Sequence, residues 1–340
     1  AKDATEQSDF LITTSEGYLE LMELTIAAGA DIKALDSYRG TGVIRAAERG
    51  HAAVVGRLMA SGVDPDHVNR LGWVALHEAL EFAKEEGRQA YIDTVRVLVA
   101  GGADVAIAAQ RGGRTPEQLA RDGGLTAQQA LIKRAASCIV RERGQGSADV
   151  DRRLLRAAAR GDADEAALAL RQGADLEARN DRRQTPLLVA AAADKVDVAR
   201  LLVHLGADPD ALDDRHDTPW LVTGVTGSVA MLEVLLPARP DLTITNRFGG
   251  LSPIPAAERG HVAYIKRVVR TDVDLDHVND LGWTALLEAV VLGDGSKPYQ
   301  EIVQTLVDAG VDTSITDKQG RTALDLARKA GQTEIVRILD

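Results

Sequence analysis

The feature that most limits what this chain can fold into is self-similarity at two periods. The short period is roughly 33 residues. One copy reads NDRRQTPLLVAAAADKVDVARLLVHLGADPDAL from Asn180 to Leu212, and another reads DKQGRTALDLARKAGQTEIVRILD from Asp317 to Asp340. The long period is 210 residues: AAERGH at Ala46–His51 returns at Ala256–His261, and DPDHVNRLGWVALHEA at Asp64–Ala79 returns as DLDHVNDLGWTALLEA at Asp274–Ala289. Agreement this close marks two copies of one ancestral array of units.

The physical logic of a unit can be read from its residues. Thr185 or Thr322 is placed to cap a first helix with its hydroxyl, and Pro186 sits in the opening turn, where a missing N–H costs nothing. Leu187, Ala190 and Ala191 fall on one face at helical spacing and are small enough for neighbouring helices to approach closely. A second helix around Val198–Val203 covers them, and Gly206 ends it in the left-handed conformation. One such unit cannot bury both of its faces, so units must stack. Aromatic residues make up only 3% of the chain, which suits thin layers of closely spaced helices.

These residues resemble the ankyrin repeat, over about Asp3–Leu125 and Arg152–Asp340, and the DHVN, LGW and ALxEA blocks resemble a subgroup of bacterial ankyrin-repeat proteins. The resemblance implies an all-α repeat solenoid of helix-turn-helix units with protruding β-turn or hairpin loops, in two tandem arrays. We expect a first array over 1–137 of about four repeats, a linker over 138–150, and a second array over 151–340 of about six repeats. Asp3 aligns with Asp213, so the first array is expected to lack two opening repeats of the second. Arg141–Asp149 is polar and glycine-bearing, as a linker should be, and the charged start of 151–170 suits a capping repeat.

The formal net charge is −11 and the acidic excess is present in both halves, so the basic stripe needed for nucleic acid is missing. Cys138 is the single cysteine, which rules out an internal disulfide and a cysteine-based zinc cluster. No apolar run reaches the length of a membrane span, so no membrane insertion is expected. Residues Ala1–Asp9 do not read as a signal peptide; the bacterial cytoplasm fits, and so would the periplasm or secretion after removal of a signal.

The residues that stand out lie at turn tips and first helices, which the resemblance places on the concave binding side. Tyr38 and Phe248 occupy equivalent turns, as do Trp73 and Trp283; rigid aromatics on a small-residue surface are common interface anchors, although each ring could simply cover its neighbouring repeat. Glu78 and Glu288 occupy a first-helix position filled elsewhere by Val189 and Leu326. A half-buried carboxylate must find donors or take up a proton. The bland expectation is that it accepts backbone N–H groups from the loop that follows, because Glu81–Ile92 and Val291–Gln300 are longer than the usual bend. His51 and His261 match a Gly-His bend in which histidine satisfies backbone groups. Ser252-Pro253-Ile254-Pro255 replaces a proline-free stretch of the first copy and should reshape that helix's first turn.

Catalytic signatures and metal-ligand spacings are absent, and no cofactor is implied. The leading expectation is a protein-binding scaffold, of the inhibitor or immunity type, that contacts another protein through the turn aromatics, Glu78, Glu288 and the tip residues Arg182, Arg215, Arg247, His277, Asn279 and Asp280. With two arrays such binding can be bivalent. The alternative is a small-molecule or enzymatic site around Asp276, His277, Trp283 and Glu288.

Overall fold

A computed structural model describes residues 8–83, 88–110 and 112–340. Asp3, on which the register of the first array was anchored, and part of the Glu81–Ile92 loop lie outside the described residues. Every regular element among the described residues is helical, and the only extended pairing is one isolated bridge between Thr316 and Thr322. Contacts divide the chain into two compact units, one running to Ala178 and including Arg200–Ala207, the other made of Arg179–Ala199 and Asp208–Asp340.

The first unit holds the pairs α1 (Asp9–Ser15) and α2 (Leu19–Ala27), α3 (Gly42–Glu48) and α4 (Ala52–Ala60), α5 (Ala75–Phe82) and α6 (Arg88–Ala100), and α7 (Pro116–Asp122) and α8 (Thr126–Ala136). First helices stack in the order α1, α3, α5, α7, while α4, α6 and α8 form the second row. A further pair, α9 (Ala148–Arg160) and α10 (Ala163–Arg171), belongs to the same unit, with α10 packed on α6. The buried Arg171 guanidinium clamps this packing by donating to the carbonyls of Val99 (3.2 Å), in the last turn of α6, and Ala103 (2.8 Å), in the turn that follows it.

The stretch expected as a linker is bonded to its surroundings. Arg141 N–H donates to the Arg171 carbonyl at 3.0 Å, Gly146 N–H to the Gly173 carbonyl at 2.8 Å, and the Arg143 guanidinium to the Leu205 carbonyl at 2.9 Å. Polar, glycine-bearing composition permits flexibility, but these backbone groups found acceptors on α10 and the turns around it.

The second unit contains α11 (Pro186–Ala192), then α13 (Leu221–Thr226) and α14 (Val229–Leu235), α15 (Pro253–Glu258) and α16 (Val262–Val268), α17 (Ala285–Val291) and α18 (Lys297–Asp308), and α19 (Ala323–Ala330) and α20 (Thr333–Leu339). Between them in the chain, α12 (Val196–His204) gives its first residues to this unit and its last turn to the first. The same two rows recur, α11, α13, α15, α17 and α19 on one side and α14, α16, α18 and α20 on the other. Thr185 and Thr322 each accept the N–H three residues on, closing the first helical turn as read from the sequence, and Thr284 does the same. Gly206 ends its helix at φ +85°. The helix with the two prolines does begin differently: α15 starts one position later than α3, and Leu251 stands where Thr41 caps α3.

Candidate functional site

Each array builds the same hollow between two successive turn tips and the first helices behind them. In the first array the tip Asp36–Gly40 is shaped by the Asp36 carboxylate, whose Oδ1 accepts from the N–H groups of Tyr38 (2.8 Å) and Gly40 (2.7 Å). Its other oxygen meets the Arg45 guanidinium on α3, which also pairs with Glu48 at 2.7 Å. The next tip is shaped by Asn69, whose Oδ1 accepts from Leu71 and Trp73 N–H, both at 3.0 Å. The Asn69 amide then donates to Glu78 Oε1 at 2.8 Å. The two tips are joined by Arg70 N–H donating to the Tyr38 carbonyl at 2.7 Å.

The second array repeats this construction. Asn246 stands in place of Asp36 and accepts from Phe248 N–H (2.9 Å) and Gly250 N–H (3.0 Å). Asn279 holds its own turn through Leu281 and Trp283 N–H, both at 3.0 Å, and donates to Glu288 Oε1 at 2.9 Å. Asp280 N–H donates to the Phe248 carbonyl at 3.0 Å.

These bonds correct one expectation. Among the described residues the partner of Glu78 and of Glu288 is an asparagine nine residues earlier; for Glu288 it is not the backbone of the loop that follows, and part of the loop after Glu78 lies outside the described residues. A turn asparagine spends its oxygen on two backbone N–H groups and has its amide left to donate, and a carboxylate on the adjoining helix accepts it. Asn279, expected at the exposed tip, is turned inward for the same reason and is 8% exposed. Glu78 is 5% and Glu288 4% exposed. Burial pushes the Glu78 carboxyl up to about 7, the nearby Glu48 and Glu81 carboxylates add to the rise, and the Asn69 bond and Arg45 oppose it. Burial likewise pushes Glu288 up to about 7, with the Asn279 bond opposing and Glu258 adding.

The hollow above Glu78 measures about 450 Å³ and is walled by Tyr38, Trp73 and Phe82. That above Glu288 measures about 260 Å³, with Phe248 and Leu292 on its walls and Asn279 beside the carboxylate. Of the four turn aromatics, Tyr38 and Phe248 are exposed, 52% and 51% accessible, whereas Trp73 and Trp283 are half-buried. Arg182, Arg215, Arg247 and Asp280 are exposed. Arg215 and Arg247 line the second hollow, and Arg182 lines a neighbouring hollow of about 230 Å³ with Arg215.

The grouping of Asp276, His277, Trp283 and Glu288 is not assembled around one cavity. His277 Nε2 engages the Gly249 carbonyl at 2.6 Å, Asp276 accepts from Asp312 N–H at 2.8 Å, and neither lines the hollow that holds Glu288. Both act as straps between successive turns, and His67 and Asp66 do the same in the first array. His51 and His261 bond the carbonyls of Ser15 (3.1 Å) and Val225 (3.2 Å), in keeping with a backbone-satisfying role.

Sequence reasoning missed one matched pair. Tyr91 Oη donates to the Glu48 carbonyl and Tyr299 Oη to the Glu258 carbonyl, each at 2.9 Å. The extended loops differ by two residues in length, which hid the equivalence; aligning them on the tyrosine would have found it.

The family model for ankyrin repeats (3 copies) matches residues 10–109, 154–246 and 255–339. The chain belongs to the ankyrin-repeat family. It is 44% identical over 112 residues to the ankyrin repeat protein YahD of Escherichia coli strain K12, a match covering 33% of this chain and 56% of YahD. Among solved structures it is similar to an ankyrin repeat domain from Acinetobacter baumannii, with a TM-score of 0.53 and 42% identity, covering 55% of this chain and 95% of that one. The ankyrin repeat protein EF0377 is similar to the same degree, with a TM-score of 0.54 and 38% identity over 56% of this chain and 96% of that one. Ankyrin repeats are protein–protein interaction modules, and proteins built from them are typically scaffolds without enzymatic activity. No helix among the described residues is long and apolar enough to cross a membrane.

Proposed function

We propose that this ankyrin chain binds a partner protein along the turn tips and first helices of each array, with Tyr38 and Phe248 as anchors and the hollows above Glu78 and Glu288 as the pockets that receive the partner. The observation that carries this reading is the double occurrence of a costly arrangement: a buried carboxylate held by a turn asparagine beneath a half-exposed aromatic ring, kept in both copies. A stack of repeats has no need of that carboxylate for stability, since Val189 and Leu326 fill the position elsewhere. Binding of this kind acts by covering the partner's surface or tethering it, and an inhibitor or immunity-type protein is the form that covering takes. Two arrays with like hollows also support bivalent capture.

Of the four turn aromatics, the greater exposure of Tyr38 and Phe248 favours them over the half-buried Trp73 and Trp283 as anchors. The test is capture of a partner protein by the chain and by the double variant Tyr38→Ala with Phe248→Ala. Partner retention should fall by at least about tenfold, as for loss of an interface aromatic. The thermal transition should move by no more than about 2 °C, because both rings are half-exposed. Undiminished capture by the double variant sinks the placement of the binding face.

A further inference from the structure

We infer that the hollow above Glu78 receives the guanidinium of an arginine presented by a partner polypeptide, and that the corresponding hollow above Glu288 does not, because Arg247 is already stacked on its aromatic ring. The inference rests on the docking face proposed above and names what that face recognises.

The two hollows share a backbone frame and differ in charge. Asp36, Glu48 and Glu78 line the first, with Arg45 as the one cation among the described residues of its lining, and Arg45 is already bonded to Asp36 and Glu48. Among the described residues Glu78 bonds Asn69 only, and that bond uses one carboxylate oxygen. The second hollow sets three carboxylates, Asp217, Glu258 and Glu288, against Arg215, Arg247 and Arg259. Its changes are coupled: Pro255 stands where Arg45 stands in the first copy, and Asn246 where Asp36 stands, so the ion pair was lost as a pair. What one hollow requires from outside, the other balances from within.

The second hollow also shows which group this frame accepts. The Arg247 guanidinium lies over the Phe248 ring, 4.3 Å from its centroid, a close cation–π contact. The equivalent of Arg247 in the first array is Ser37, which cannot reach across the equivalent ring, Tyr38. Arg45 comes only to 5.9 Å from the Tyr38 centroid, at the limit of such a contact. Arg49, the equivalent of Arg259, is directed to Glu16 at 2.9 Å and does not line the hollow. The first hollow therefore has a ring on which no cation is stacked as closely as Arg247 on Phe248, and behind it a carboxylate whose second oxygen has no partner among the described residues. A guanidinium is planar, stacks on aromatic faces and bonds carboxylates through a fork of N–H donors, so it fits both features at once. A lysine ammonium would meet the carboxylate but stack less well.

The experiment titrates the full chain with the peptide Ac-Gly-Gly-Arg-Gly-Gly-NH2 and follows the three indole N–H resonances, assigned by single Trp→Phe variants. The Trp73 resonance should move and saturate with a Kd on the order of 1 mM, while Trp283 stays in place. The citrulline peptide, which keeps the shape and loses the charge, should bind at least about tenfold more weakly, as should the arginine peptide to Glu78→Gln. Ser37→Arg, which copies the second hollow's internal arginine without touching the core, should abolish binding. The inference is overturned by a silent Trp73, by equal binding of the citrulline or lysine peptide, by unchanged binding to Ser37→Arg, or by free arginine binding as tightly as the peptide. Loss of partner capture in Tyr38→Ala with no arginine binding would sink the guanidinium alone. Arginine binding with undiminished capture by the double variant would sink the docking face alone.

Discussion

The hollows above Glu78 and Glu288 are one design in two states of charge. Both rest on a turn asparagine that holds a buried glutamate, and both place an exposed aromatic on the preceding tip. Around the first, an Asp36–Arg45–Glu48 ion-pair chain leaves an acidic lining; around the second, Asn246 and Pro255 remove that chain and Arg247 stacks on the aromatic. The comparison teaches that the acceptor oxygen at each tip is what both copies keep, as an aspartate or an asparagine, since losing it leaves turn N–H groups without acceptors. The residues facing the hollow were free to diverge.

The largest expected effect tests the shared part. Asn69→Ala and Asn279→Ala each remove two acceptor bonds to the turn and the donor to a buried glutamate, which should cost on the order of 3 kcal/mol apiece in urea unfolding. A large loss at one site and none at the other would break the equivalence of the two frames. Next in size is the diverged pair. Arg45→Ala leaves the buried Asp36 carboxylate without its cation and should cost about 2 kcal/mol, whereas Arg45→Ala combined with Asp36→Asn should recover about half of that loss. A strictly additive double variant would show that the Asn246 and Pro255 changes were independent.

A third expectation concerns pH. Glu78 and Glu288 have folded values near 7, above the ordinary carboxylate range, so the folded state holds their protons more firmly than the unfolded chain. Their contribution is therefore fully present below the unfolded value and is lost as pH rises through about 7. Glu78→Gln and Glu288→Gln should each be more stable than the parent chain at pH 8, by up to about 2 kcal/mol after solvent screening, and no more stable at pH 4. Equal gains sharpen the likeness of the hollows; a gain at both pH values would assign the effect to something other than titration. The smallest effect belongs to the loop ties. Tyr91→Phe and Tyr299→Phe should each cost about 1 kcal/mol, the net worth of one hydrogen bond, measured by thermal unfolding.

Much of the molecule was legible in the residues. The threonine caps, the left-handed glycines and the small-residue faces act within a few residues of chain, and repetition made each pattern visible several times over. Glu78 and Glu288 stood out for the same local reason, a charge at a position other repeats fill with aliphatic groups. Their partner was misjudged because an asparagine at a tip looks like a surface contact until the turn around it closes. The arginine on Phe248 escaped for a similar reason: the serine or arginine that precedes the aromatic is adjacent in the chain whichever way its side chain points.

The sequence by itself determined that the chain is a stack of paired helices in two related arrays, because periodic burial and capping are local and every unit carries the same instructions. Only the tertiary structure decided which polar side chains pair across turns, that Arg141–Gly146 is bound to its surroundings, and that two hollows of one descent differ in charge. Those outcomes depend on distances between residues far apart in the chain, which are set when neighbouring units pack and buried polar groups are forced to find partners.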